Sequence, residues 1–84
     1  MREIINGKKY DTETAELVAV ACEGLMIVRE LYRTKEGEWF TRRFDKPEDG
    51  DTESGWIFLV SEEAVRGVLR PELHEKYFGT IKEA

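Results

Sequence analysis

MIVRELYRTKEGEWFTRRF, residues 26–44, is the stretch whose reading decides the fold. Two runs rich in β-branched and aromatic residues flank Thr34-Lys35-Glu36-Gly37-Glu38. That spacing predicts a hairpin turning through a type I turn, with Gly37 in the left-handed region forming a bulge. If Thr34 faces Glu38, the register follows by arithmetic. One face then carries Val28, Glu30 and Tyr32 opposite Phe44, Arg42 and Phe40. The other carries Arg29, Leu31 and Arg33 opposite Arg43, Thr41 and Trp39. The first face is the expected core, with Glu30 and Arg42 as a cross-strand ion pair at its middle. The second is more polar and is expected to be wet. There, Arg29 opposite Arg43 is unfavourable unless an anion or a carboxylate lies between them.

On the N-terminal side, Asn6-Gly7 sits between strand-prone residues. Both tolerate the positive φ that a type I′ turn demands, so a short first hairpin is predicted. Residues 17–22, Leu-Val-Ala-Val-Ala-Cys, fit either one helical face or a buried strand; strand is the preferred reading. Cys22 is expected to be a small buried hydrophobe. On the C-terminal side, Trp56-Ile57-Phe58-Leu59-Val60 is apolar throughout, which predicts a strand covered on both faces and hence central. Ser61 then offers an N-cap, and Glu62 and Glu63 suit the positive end of a helix dipole. Ala64, Val65, Val68 and Leu69 form the expected buried stripe of a helix over 61–70. Pro71 stops that helix and starts a second over 71–78, ended by Gly79. The expected fold is α+β: a small antiparallel sheet of three to five strands with two C-terminal helices packed on one face.

Eighty-four residues make one domain, 1–84, with a small core. A chain of this length buries only about 60–65% of its unfolded surface. A catalytic pocket would consume much of that interior, so no enzyme is expected. The single cysteine permits no internal disulfide, and the first residues have no signal-peptide apolar run, so a reducing cytoplasm is expected. No apolar run is long enough to span a bilayer.

The charge is unevenly placed. Residues 1–44 hold eight Lys/Arg and eight Asp/Glu, whereas residues 45–84 hold five and ten, so the net −5 lies in the second half. Much of it falls in the acidic loop 45–55, through Asp45, Glu48, Asp49, Asp51 and Glu53. As a calcium loop starting at Asp45, the segment puts Pro47 at the third position and Trp56 at the twelfth, where a bidentate Glu is needed. It therefore fails. A solvated loop is the plain alternative to a surface that docks on a basic protein.

Three stretches, IINGKKYDTETA (4–15), LYRTKEGEWF (31–40) and LVSEEA (59–64), resemble a set of short proteins from phages, mobile elements and Gram-positive bacteria. Their order matches, so the resemblance spans most of the chain. It implies an accessory protein that counters a host defence system such as a CRISPR nuclease. That family often has a glycine-rich, less acidic stretch in place of residues 45–54.

No catalytic, cofactor or metal signature is present. His74 is a lone histidine on a helix expected to be exposed, and Cys22 has no histidine in local context. The expected function is non-enzymatic protein binding through an acidic surface made of Asp45, Glu48, Asp49, Asp51, Glu53 and Trp56, most concretely an anti-CRISPR-like inhibitor. The alternative is a nucleic-acid-binding face made of Arg29, Arg33, Trp39 and Arg43. Trp39 beside Arg33 offers a cation–π pair or the start of a base-stacking platform, although the net charge opposes it. A third possibility is an oligomerising structural protein, such as a homodimer, anchored by exposed Trp39 and Trp56.

Overall fold

The structure is a computed structural model that describes residues 1–24, 27–45 and 55–79. Six strands precede two helices. They are β1 (Arg2–Ile5), β2 (Lys8–Asp11), β3 (Glu16–Glu23), β4 (Ile27–Arg33), β5 (Trp39–Asp45), β6 (Trp56–Val60), α1 (Glu62–Val68) and α2 (Pro71–Phe78). β1 and β2 pair alone, and the other four form an antiparallel sheet in the order β3-β4-β5-β6. The α+β expectation holds.

The central hairpin has the register its sequence dictates. Val28 faces Phe44, Glu30 faces Arg42, and Tyr32 faces Phe40. The turn is closed by the Thr34 N–H donating to Glu38 O at 2.8 Å, with Gly37 at φ +88°. At the first turn Asn6 and Gly7 take φ 53° and 77°, as a type I′ hairpin requires.

On the sheet's Phe40 face, Tyr10, Tyr32, Phe40 and Ile57 make the core, and Met1, Ile5 and Ala15 pack against it. Phe40 stacks on Tyr32 with ring centroids 5.1 Å apart and meets Tyr10 edge-on at 5.6 Å. The β1–β2 hairpin is therefore the lid of this face. It is fastened by the Tyr10 hydroxyl donating to Glu38 Oε2 at 2.7 Å and by a Lys8–Glu38 ion pair.

The opposite, Trp39 face corrects several expectations. It is not wet along its length, because α2 lies over one end. The Trp39 ring, 5% exposed, sits 5.4 Å from Tyr77 and 5.6 Å from Phe78. The Tyr77 hydroxyl ties α2 to β3 by donating to Glu16 Oε2 at 2.7 Å. A two-strand pattern could not anticipate this, since Ala19 and Ala21 of β3 and Val60 of β6 add apolar surface to the same face. His74 is correspondingly half-buried against Phe78, with its Nδ1 buried and without a hydrogen-bond partner.

α1 starts as predicted, with Ser61 Oγ accepting from the Ala64 N–H at 3.1 Å. Of its expected stripe only Val65 is buried; Ala64 is exposed and Val68 is 75% exposed. Cys22 is exposed on β3 instead of buried, because β3 is a sheet edge.

The largest correction concerns β6. Among the described residues it pairs only with β5 and is the other edge of the four-stranded sheet. A continuous apolar run fits a strand covered on both faces, but here Trp56, Phe58 and Leu59 are 55%, 48% and 42% exposed.

Candidate binding surface

The β6 edge is positioned from both ends. At its start Gly55 adopts φ +102°, and a Cβ there would collide with the Arg43 carbonyl oxygen and lie 2.9 Å from Phe44 Cβ. Only glycine permits that close approach. Register pairs then run from Arg43↔Trp56 to Trp39↔Val60. Ile57, opposite Arg42, is the single buried residue of the strand and anchors it in the Phe40-face core. Residues directly opposite one another share a face of an antiparallel sheet. Trp56 and Phe58 therefore stand on the Trp39 face and Leu59 on the Phe40 face. No described strand pairs with the outer backbone edge of β6.

Beside this edge Arg42 and Glu30 are engaged with each other, whereas the Nε of Arg43, opposite Trp56, is buried without a hydrogen-bond partner. Arg42, buried, donates to Glu30 Oε1 at 2.9 Å, and its guanidinium lies 4.1 Å from the Phe44 ring centroid. The Tyr32 hydroxyl donates to the same Glu30 oxygen at 3.0 Å. Burial, then that hydrogen bond and the carboxylate's charge, push the Tyr32 phenol up to about 12. Tyr10 is raised chiefly by its hydrogen bond to Glu38, and Tyr77 chiefly by burial.

All three tyrosines therefore resist ionisation in the fold. Their folded pKa values lie above the unfolded value, so the associated stability is full below about pH 10 and is lost as pH rises through the folded values. Alkaline titration followed by ultraviolet phenolate absorbance should show no tyrosine ionising at its ordinary pKa in the folded protein. In denaturant all three should titrate together near that value. A native tyrosine titrating normally would refute these contacts.

Of the residues proposed from sequence for protein binding, Asp45 is exposed as the last residue of β5, and Trp56 is exposed on β6. Glu48, Asp49, Asp51 and Glu53 lie outside the described residues. The proposed nucleic-acid set shares the Trp39 face of the sheet, but its one aromatic member is covered. Arg29 and Arg43 are register partners in mid-sheet, with Arg29 exposed. Arg33 lies 5.8 Å from the ring centroids of both Trp39 and Tyr77, near α2. A base-stacking or dimer-anchoring role needs an exposed ring, which Trp39 does not have.

Phe58 and Leu59 were missed. The apolar run itself was the signal, but only the strand order shows it to be an edge.

Clefts are also present among the described residues. An apolar one of about 430 Å³ lies between α1 and the sheet, lined by Ala19, Leu31, Thr41, Val60, Val65 and Val68 with Arg29. One of about 340 Å³ lies between the two hairpin turns, away from β6, lined by Lys8, Tyr10, Asp11, Ala15, Lys35 and Glu38 among others. Among the described residues no group of His, Cys, Asp and Glu could hold a metal ion. No helix among them is long and apolar enough to cross a membrane. No protein-family model, curated protein or solved structure matches the chain.

Proposed function

We propose that this protein is a non-enzymatic binding module that engages a protein partner along the outer edge of β6. The observation that carries this reading is the exposure of Trp56, Phe58 and Leu59 on a strand whose outer backbone edge has no described pairing. Such an edge can receive an extended segment of another protein: main-chain hydrogen bonds supply affinity, and the exposed rings supply specificity. The acidic residues that precede Gly55 in sequence, Glu48, Asp49, Asp51 and Glu53, add charge suited to a basic partner. In its most concrete form the module inhibits a host nucleic-acid-handling complex, its row of carboxylates standing in for phosphates, as the sequence resemblance also implies.

The test is capture of the partner by wild type and by Trp56→Ala/Phe58→Ala, with circular dichroism to show that both are folded. Central aromatic anchors typically contribute at least about 2 kcal/mol, or roughly 30-fold in affinity. The double variant should therefore lose the partner. Asp49→Asn/Asp51→Asn/Glu53→Gln should weaken binding and flatten its salt dependence. Equal capture of the same proteins by wild type and by the ring-free variant would overturn the edge as the contact surface. A salt-sensitive gel shift removed by Arg29→Glu/Arg43→Glu would favour nucleic acid instead.

A further inference from the structure

We infer that β6 also pairs with β6 of a second copy, joining two four-stranded sheets into one eight-stranded antiparallel sheet about a two-fold axis. The inference rests on the reading of this same edge as the protein's contact surface and adds a specific occupant.

The first reason is self-complementarity. An antiparallel two-fold centred on Phe58 places Trp56 opposite Val60 of the second copy, Ile57 opposite Leu59, and Phe58 opposite itself. Every pair is apolar, and each joins residues on the same face of the sheet. Slips of one residue put side chains on opposite faces. Slips of two leave Trp56 opposite Glu62 in one direction or Val60 opposite Ser54 in the other. One register therefore keeps all five pairs.

The second reason is the contrast between the two edges. Edge strands are commonly guarded by charges and bulges. β3 has both: Glu16 at its start, and a register shift between Leu17 and Ala19. β6 has no charged residue and a regular register along its whole length. Pairing of β6 with β3 would propagate into open fibres, whereas β6 with β6 closes at two copies.

The expected dimer is weak. A five-residue edge falls well short of the roughly 1,200–2,000 Å² buried by stable complexes. The chains also repel. Each carries −5, and Glu62 and Glu63 follow one residue beyond the paired strand. Raising salt should therefore tighten the dimer by screening repulsion, the opposite of its effect on capture of a basic partner.

Sedimentation equilibrium from about 1 to about 500 µM, at about 0.05 and about 0.5 M NaCl, tests this. The mass should rise from 9.8 kDa to twice that value, with half-dimerisation at a severalfold lower concentration in the high-salt series. Phe58→Lys sets like charges on the two-fold and should remain monomeric throughout. Should that variant misfold, hydrogen exchange on wild type gives the same answer: β6 amides should be protected more at high concentration than at low. A wild-type monomer throughout, assemblies larger than two copies, or unaltered dimerisation of folded Phe58→Lys would overturn the pairing. A monomeric wild type whose Trp56→Ala/Phe58→Ala variant still loses its partner would end this inference while leaving the proposed function standing.

Discussion

Phe40→Ala is expected to lower the thermal midpoint by roughly 15–30 °C and leave much of the protein unfolded at ambient temperature. Phe40 is fully buried, at 0% exposure, and ties together three elements, two from its own sheet and one from the first hairpin. Its ring stacks on Tyr32 of β4, meets Tyr10 of the first hairpin edge-on, and belongs to the cluster that anchors Ile57 of β6. Truncating such a phenylalanine costs about 3–5 kcal/mol through lost transfer energy and the cavity left behind. A chain of this length has only about 4–13 kcal/mol in total. The neighbours cannot collapse into the space, because Tyr10 and Tyr32 are held by hydroxyl bonds to Glu38 and Glu30. Phe40→Leu, which keeps most of the volume, should lose less than about 1.5 kcal/mol. Thermal and urea unfolding followed by circular dichroism measure both. A drop for Phe40→Ala no larger than that for Phe40→Leu would mean that this ring does not hold the elements together.

The elements around Phe40 were legible in sequence because local chemistry fixes them. Gly37 sets the hairpin bulge and with it the register that pairs Glu30 with Arg42 and Tyr32 with Phe40. Asn6-Gly7 sets the first turn, Ser61 caps α1, and Pro71 opens α2. What failed was everything decided by contacts between distant elements. The apolar run of β6 has no property that separates a central strand from an edge; that depends on which strands remain to pair with it. Leu17 to Cys22 looked ambiguous for a local reason. The shift between Leu17 and Ala19 puts Leu17, opposite Tyr32, on one face and Ala19, opposite Leu31, on the other, so simple alternation is broken. Trp39 was assigned to a wet face because nothing in the hairpin itself reveals that Tyr77 and Phe78, nearly forty residues away, will cover it.

The candidate site divides along the same line. Trp56 and Asp45 were named correctly as exposed groups, since they flank a segment whose composition is unmistakable. Phe58 and Leu59 acquire meaning only once β6 is known to be an edge. The two halves are complementary: an apolar strand for grip, and an acidic approach in sequence to it. Salt should act on them in opposite directions. If both proposals hold, one surface would take a copy of itself at high salt and a basic partner at low salt.

The placement of that edge depends on one backbone position. Gly55→Ala is expected to destabilise the protein by about 3 kcal/mol, a large share of what it has. About 1–2 kcal/mol comes from forcing a Cβ onto a residue with positive φ, and a further 1–3 kcal/mol, roughly, from overlap with neighbours that cannot yield. Those neighbours are the Arg43 carbonyl and Phe44 Cβ of β5 rather than the free end of a flexible side chain. Relief therefore requires β6 to move away from β5, beginning at the Arg43↔Trp56 pair. Gly7→Ala is the matched control. Its φ of +77° is also positive, but the space around it is open, so only the conformational cost applies. Urea denaturation should place Gly55→Ala well below Gly7→Ala in midpoint, and hydrogen exchange should show the added opening confined to β6. Because Ile57 is then drawn from the core and the Trp56–Phe58–Leu59 surface loses its rigid backing, partner capture should fall in Gly55→Ala and stay unchanged in Gly7→Ala. Equal loss of stability in the two variants would mean that β6 does not start from a close crossing over β5, and the contact surface built on that crossing would have to be redrawn.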